Sequence, residues 1–327
     1  MDTGTHIVMG FAIGGLAAID PVVANDPATA QSVLIAAVIG SQAPDADTVL
    51  KLRNNAVYIR HHRGITHSVP AVMLWPIAIT AAIFPFFPEA NLLHLWLWTF
   101  LAVFLHVFVD IFNSYGTQAL RPFSSRWVAL GVINTFDPII FGIHVIGLII
   151  WGFGANPVPT FLIMYTVIVG YYIVRFMLQS AVRHSIKKTI PKADNVIIAP
   201  TIRFYQWRIA AETEEHFYVG RAYGRSITIY DKFKKKSIPD NEIFQKAKTD
   251  RNVSAFLSFS PLYRWELSEA DDQYEVRFID LRYRSNDHYP FVAVVQMDKD
   301  LDIQSSYTGW IFSEEKLQKK LDILPNE

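Results

Sequence analysis

Residues 92–112 read LLHLWLWTFLAVFLHVFVDIF, and this stretch decides the class of the chain. An α-helix rises about 1.5 Å per residue, so a run of this length reaches across the roughly 30 Å hydrocarbon core of a bilayer. Its ionisable side chains are His94, His106 and Asp110. Such groups are expensive at membrane depth, and each needs a partner or a task. His106 and Asp110 stand at i and i+4, which puts them on one face of the helix.

Comparable stretches lie on both sides. Val69 to Phe87, Pro138 to Phe153 and Val158 to Val174 are apolar with few polar residues, and Ile7 to Ile19 and Ala28 to Ala43 are shorter. Together they predict about six membrane helices, the two short ones standing as tilted spans, a re-entrant pair or buried helices. Gly10 and Gly14 form a GxxxG, read either as a close helix contact or as glycines in an apolar helix. The N-terminus carries Asp2 where a secretory signal carries Lys or Arg, so an uncleaved first helix is expected.

Charge divides the chain in the same way. Of 60 Lys, Arg, Asp and Glu side chains, 15 fall in the first 180 of 327 residues. The balance of 30 basic and 30 acidic residues excludes a generally basic nucleic-acid binder, and no nucleic-acid partner is expected. The absence of cysteine excludes a disulfide framework, thiolate-held zinc, an iron–sulfur site and a cysteine nucleophile.

Orientation follows from the short loops. Lys51, Arg53, Arg60 and Arg63 lie in one loop and Arg121 and Arg126 in another, while the alternating connections hold no Lys or Arg. The positive-inside rule then predicts a multi-pass protein of a bacterial cell (inner) membrane, with the N-terminus, both basic loops and everything after Arg175 in the cytoplasm. Trp96, Trp98 and Trp151 fall at the outer helix ends, as an interfacial belt or as core packing.

From about Ile190 the period changes. Ile202 to Ile209, Tyr274 to Ile279 and Phe291 to Met297 carry the strand signature, and Ser313 to Leu321 opens like a capped helix. The expected architecture is an α-helical polytopic membrane domain over 1–185, followed by a soluble, β-rich α+β domain over 190–327. Lys234-Lys235-Lys236 reads as a solvated loop in preference to a lipid contact.

Seven of the ten histidines lie in the membrane half. Thr5-His6 precedes the first apolar helix, Pro44-Asp45-Ala46-Asp47 follows the second, and His62-Arg63-Gly64-Ile65-Thr66-His67-Ser68 leads into the third. With His106 and Asp110, all four patterns fall at one end of the bundle. Neutral imidazoles and carboxylates are the ligands that Zn²⁺ or Mn²⁺ takes when thiolates are absent. His6, Asp45, His67, His106 and Asp110 are therefore candidate metal ligands; Asp47 is a further ligand or a helix cap. His94 and His144 read as hydrogen-bonded core residues, His61 as a surface neighbour and Asp137 as the cap of a helix starting at Pro138.

These motifs, in this order, resemble those of the YdjM-like inner-membrane proteins, a family of predicted membrane-bound metal-dependent hydrolases. The chain looks most similar to the YfhP-type members from bacilli. The resemblance covers roughly residues 1–180, and the family in turn resembles the all-helical zinc phospholipase C fold. It implies a phospholipase C-like hydrolytic metal site made by His6, Asp45, His67, His106 and Asp110. The zinc phospholipases add later histidines, including a His-x-x-x-Glu pair; no such pair follows Asp110 here, so one or two ions are expected in place of three.

A divalent ion with an open position lowers the pKa of bound water toward ~7 and polarises the group under attack. Asp45 or Asp110 is suited to bridging two ions. Arg63 is a candidate to hold an anionic substrate oxygen, or else a positive-inside anchor. His62 is a candidate ligand, proton donor or supporting residue, and Thr66 and Ser68 are placed to orient a ligand or cap a helix. The reading with most support is a hydrolase at the cytoplasmic membrane face acting on a phosphoester or lipid headgroup. The alternative is a metal-stabilised anchor or sensor whose tail binds a regulatory partner. A transporter is disfavoured, because the polar groups sit at one end and not at mid-bilayer.

Overall fold

A computed structural model describes residues 1–52 and 54–323. In chain order the helices are α1 (Thr3–Leu16), α2 (Pro21–Asn25), α3 (Pro27–Gly40), α4 (Asn55–His61), α5 (Val69–Ile83), α6 (Leu92–Asp110), α7 (Pro138–Gly152), α8 (Pro157–Thr189), α9 (Glu242–Thr249), α10 (Arg251–Phe259) and α11 (Glu314–Ile323). The strands are β1 (Asn195–Pro200), β2 (Gln206–Glu212), β3 (His216–Tyr223), β4 (Ser226–Lys234), β5 (Tyr263–Glu269), β6 (Gln273–Asp280), β7 (Phe291–Asp298) and β8 (Ile303–Trp310). Two compact units result. One comprises Met1–Asp47, Arg63–Ala181 and Ala199–Gln206, and the other Thr48–His62, Val182–Ile198 and Trp207–Glu327.

In the helical unit four of the eight acidic residues serve helix starts. Asp2, Asp20, Asp26 and Asp137 cap α1, α2, α3 and α7 by accepting backbone amides of the first turn. Ser68 and Asn91 do the same for α5 and α6. Proline stands at the start of α2, α3 and α7, where no intrahelical donor is lost. This accounting leaves exposed Glu89 and, at one end of the helices, Asp45, Asp47 and Asp110 without a capping task.

Glycine sets the closest packing. A Cβ on Gly10 would stand 2.8 Å from Val38 Cα, and one on Gly14 3.0 Å from Leu34 Cα, so the GxxxG is a contact of α1 with α3. Around it Met9, Ile13, Ala37 and Ala102 form a buried cluster joining α1, α3 and α6. A second cluster, including Val33, Ile79, Leu95 and Val103, ties α3, α5 and α6.

Among the described residues three helical stretches are long and apolar enough to cross a membrane: Val69–Phe86, Leu92–Asp110 and Pro157–Thr189. Pro27–Gly40 with Ala43–Leu52 makes a fourth if that pair, bent by 42°, is one span; Thr3–Ile19 and Pro138–Gly152 are apolar but shorter. The last long helix runs 33 residues, well past Val174. It continues because its polar groups find partners: Arg175 Nε donates to Val132 O at 3.0 Å, and Gln179 Nε2 to the carbonyls of Leu130 and Gly131.

The second unit holds two four-stranded sheets, ordered β1-β2-β3-β4 and β5-β6-β7-β8. The latter is antiparallel throughout, and its inner strand β7 is buried over seven of eight residues. Phe244, Phe256, Phe278 and Phe291 pack as a buried aromatic cluster beneath α9 and α10. The strands expected at Tyr274 to Ile279 and Phe291 to Met297 are β6 and β7. Ser313 opens α11, its hydroxyl accepting Lys316 N–H at 3.3 Å. The strand expected from Ile202 begins only at Gln206, because Thr201 turns the chain: its hydroxyl accepts the Arg203 amide and donates to Gln206 O at 3.1 Å.

Candidate metal centre

Four segments deliver the site. His6 lies in the first turns of α1, and Asp45 lies on the 3₁₀ segment Ala43–Leu52 after α3. His67 ends the 3₁₀ turn Ile65–His67 just before α5, while His106 and Asp110 close α6. One ligand atom each from Asp45, His67, His106 and Asp110 lies within 4.8 Å of the others. His67 Nε2 is 3.5 Å from Asp45 Oδ1 and 3.6 Å from Asp110 Oδ2, and His106 Nε2 is 3.7 and 3.8 Å from the same oxygens. A tetrahedral ion with bonds near 2.0–2.1 Å has ligand–ligand edges of about 3.3 Å, so the spacing suits one ion between these four.

The donor atoms are held ready. His106 Nδ1 lies 2.6 Å from the Ser41 carbonyl, which only accepts, so Nδ1 carries the proton and the Nε2 lone pair faces the carboxylates. Thr66 Oγ1 donates to Asp47 Oδ2 at 2.6 Å and, 3.0 Å from His67 Nδ1, accepts from that ring nitrogen. His67 Nε2 is thereby turned toward Asp45 and Asp110. His106 Nε2, Asp45 Oδ1 and both nitrogens of His6 are buried without a hydrogen-bond partner. Orphaned polar atoms of this kind are costly in a folded protein and fit a site built for a cation.

His6 stands beside this group on the other oxygen of Asp110, its Nε2 3.4 Å from Oδ1, with its ring stacked on His106 at 3.7 Å. Asp110 thus faces His67 and His106 with one oxygen and His6 with the other, the disposition a bridging carboxylate has. The α-amino group of Met1 also touches Asp110 Oδ1.

Residues 1–182 match the family model of the YdjM inner membrane protein. The chain belongs to that family. Residues 191–233 match the YfhP middle domain and 242–321 the YfhP C-terminal alpha/beta plait domain. The chain is 59% identical over 324 residues, 99% of each chain, to the uncharacterized protein YfhP of Bacillus subtilis (strain 168). No solved structure matches. It is a membrane protein, then, with a His/Asp cluster able to hold a metal ion.

The remaining residues singled out from this YdjM-family sequence take distinct places. Asp47 receives the Arg63 amide at 3.0 Å and the Thr66 hydroxyl on one oxygen, so it stands behind His67. Arg63 adopts φ 60° and is buried, with Nη2 3.2 Å from Asp110 Oδ2 and 3.1 Å from Met1 O; its guanidinium is turned inward, not out to headgroups. His62 closes α4 in the second unit, its ring stacked on Tyr58 at 4.5 Å. His61 is exposed. His94 pairs with Asp20, which also accepts Trp98 Nε1 at 3.1 Å, and His144 Nδ1 donates to Ile140 O at 2.8 Å. Ser41 was not foreseen in the sequence, since a backbone carbonyl leaves no residue-type signal.

Proposed function

We propose that this protein is a six-helix membrane-embedded, metal-dependent hydrolase that works at the cytoplasmic face on a phosphoester or lipid headgroup, with Zn²⁺ as the preferred ion and Mn²⁺ as the alternative. The reading rests on Asp45, His67, His106 and Asp110 converging from three segments, with His106 Nε2 and Asp45 Oδ1 buried without a hydrogen-bond partner. A divalent ion bound there supplies an activated water and polarises the ester. Asp110 and His106 fix one wall of the site. His67, oriented through Thr66, fixes the other. Asp45 is the one carboxylate of the group with solvent exposure, 16%, and marks the side from which a substrate enters. Arg63 brings a permanent positive charge against Asp110, where an anionic phosphoryl oxygen needs one. The cytoplasmic assignment is supported by the basic loops carrying Lys51, Arg60, Arg63, Arg121 and Arg126.

The test is metal analysis of the purified chain and of a His67→Ala/Asp110→Ala variant, followed by a panel of phosphodiesters and phospholipids. Stoichiometric metal in the first, its loss in the second and metal-dependent turnover are expected; equal metal in both ends the reading.

The near-complete burial of His67, His106 and Asp110 favours one second reading, a metal that stabilises an anchor or sensor. In that case the same variant loses metal and thermal stability while no substrate in the panel is turned over by the parent.

A further inference from the structure

Ala199–Gln206, the connection between β1 and β2 with the strand residues that flank it, belongs to the helical unit although it joins two strands of a sheet. Arg175 of α8 holds it. That guanidinium is 1% exposed, donates to the Phe204 carbonyl and lies over the Phe204 ring at 5.5 Å. Tyr171, one turn earlier on α8, has its ring 6.0 Å from Phe204. With its inner edge tied down, the loop turns Ile202, Phe204 and Tyr205 outward, at 57%, 37% and 55% exposure, with exposed Arg203 between them.

The height of this loop along α8 indicates what covers it. Around the Arg175 anchor the helix exposes Ile173, Val174, Phe176 and Met177, an apolar surface suited to lipid. Its first exposed cation is Arg183, followed by Lys187 and Lys188. Eight residues of helix separate Arg175 from Arg183, about 12 Å at 1.5 Å per residue. The loop is therefore attached where the lipid-facing surface ends and the wet part begins. Aliphatic and aromatic side chains interleaved with an arginine are the composition that settles at a headgroup boundary, the tyrosine ring amphipathic and the cation paired with phosphate. Three large apolar side chains left in water would instead form an exposed patch.

We propose that residues 202–205 insert into the headgroup–acyl boundary of the leaflet that contains the end of α8, as a second membrane anchor belonging to the YfhP-type extension. This inference needs neither the metal nor the hydrolase reading.

The chain has no cysteine, so single-cysteine variants can be labelled cleanly. Nitroxides at Ile202→Cys, Met177→Cys and Asp271→Cys of the full chain, in phosphatidylcholine/phosphatidylglycerol vesicles, report lipid or water by relative collision with oxygen and with a neutral nickel chelate. Met177 stands for the lipid-facing helix and Asp271 for an exposed hairpin. The expected result is a label at 202 favouring oxygen by several-fold over the label at 271, as the label at 177 does. A label at 202 that collides with the nickel chelate as freely as that at 271 overturns the proposal. So does one shielded from both reagents, which assigns the surface to a protein partner.

Discussion

The Thr66 hydroxyl lies 3.0 Å from Nδ1 of His67. Because the same hydroxyl donates to Asp47 Oδ2, it can only accept from the ring, and this sets which imidazole nitrogen faces Asp45 and Asp110. Loss of such an orienting partner typically weakens metal binding by about 10–100-fold. Thr66→Val should therefore lower affinity for Zn²⁺ or Mn²⁺ by that factor, in chelator competition, while Thr66→Ser binds as the parent does. Asp47→Asn should lower affinity without lowering the number of ions bound. Parental affinity in Thr66→Val shows that His67 needs no such support.

Gly10 couples the helix packing to the centre. A Cβ there meets Val38 Cα and the Ser41 hydroxyl, and Ser41 supplies the carbonyl that orients His106. Gly10→Ala should destabilise by about 1–3 kcal/mol in thermal or denaturant unfolding, and it should weaken metal binding as well. Gly142, on α7, has open space around its missing side chain. Gly142→Ala should accordingly be neutral or stabilise by up to about 1 kcal/mol. Equal effects at the two positions would falsify the close-packing account of Gly10.

Much of the first unit was legible because lipid is a strict solvent. In and at the ends of its apolar helices a titratable side chain needs a cap, a partner or a ligand, and Asp137, His94 and His144 proved to be capping or hydrogen-bonded. The convergence of Asp45, His67, His106 and Asp110 was legible from connectivity alone, since helices of alternating direction put their ends together. The fate of residues 48–62 was not. Asn55 donates to the Thr308 carbonyl of β8, 253 residues away, and no local pattern announces a partner at that distance. Nor did alternation of residues 202–209 reveal that Thr201 ends the extended run first.

Asp280 and Arg282 form a buried pair, the guanidinium Nη2 2.6 Å from Oδ2 and also donating to Phe259 O. The two side chains are nearly out of water, at 0% and 7% exposure. Removing the carboxylate strands the cation. Asp280→Ala should cost about 3–5 kcal/mol in the unfolding of the second unit, whereas Asp280→Ala with Arg282→Met should recover much of it. A double variant no more stable than the single one would mean that the pair is not the source of the loss.

Glu314 ties the first turn of α11 to β6 through a two-point contact with Arg277, at 2.6 and 3.1 Å. That hydrogen bonding holds the Glu314 carboxyl below the usual glutamate range. A carboxyl whose folded value is depressed binds a proton less readily folded than unfolded. Its contribution is therefore complete above the unfolded value, near pH 4.3, and disappears as pH falls through the lower folded value. The Glu314 side chain is 69% exposed, so the effect is small and salt-sensitive. Hydrogen exchange of the α11 amides should show weaker protection in Glu314→Gln than in the parent at about pH 7, with the difference closing toward about pH 3. A difference that is constant across that range would assign the anchoring of α11 to Leu317 and Leu321 against Val292 and Val294 alone.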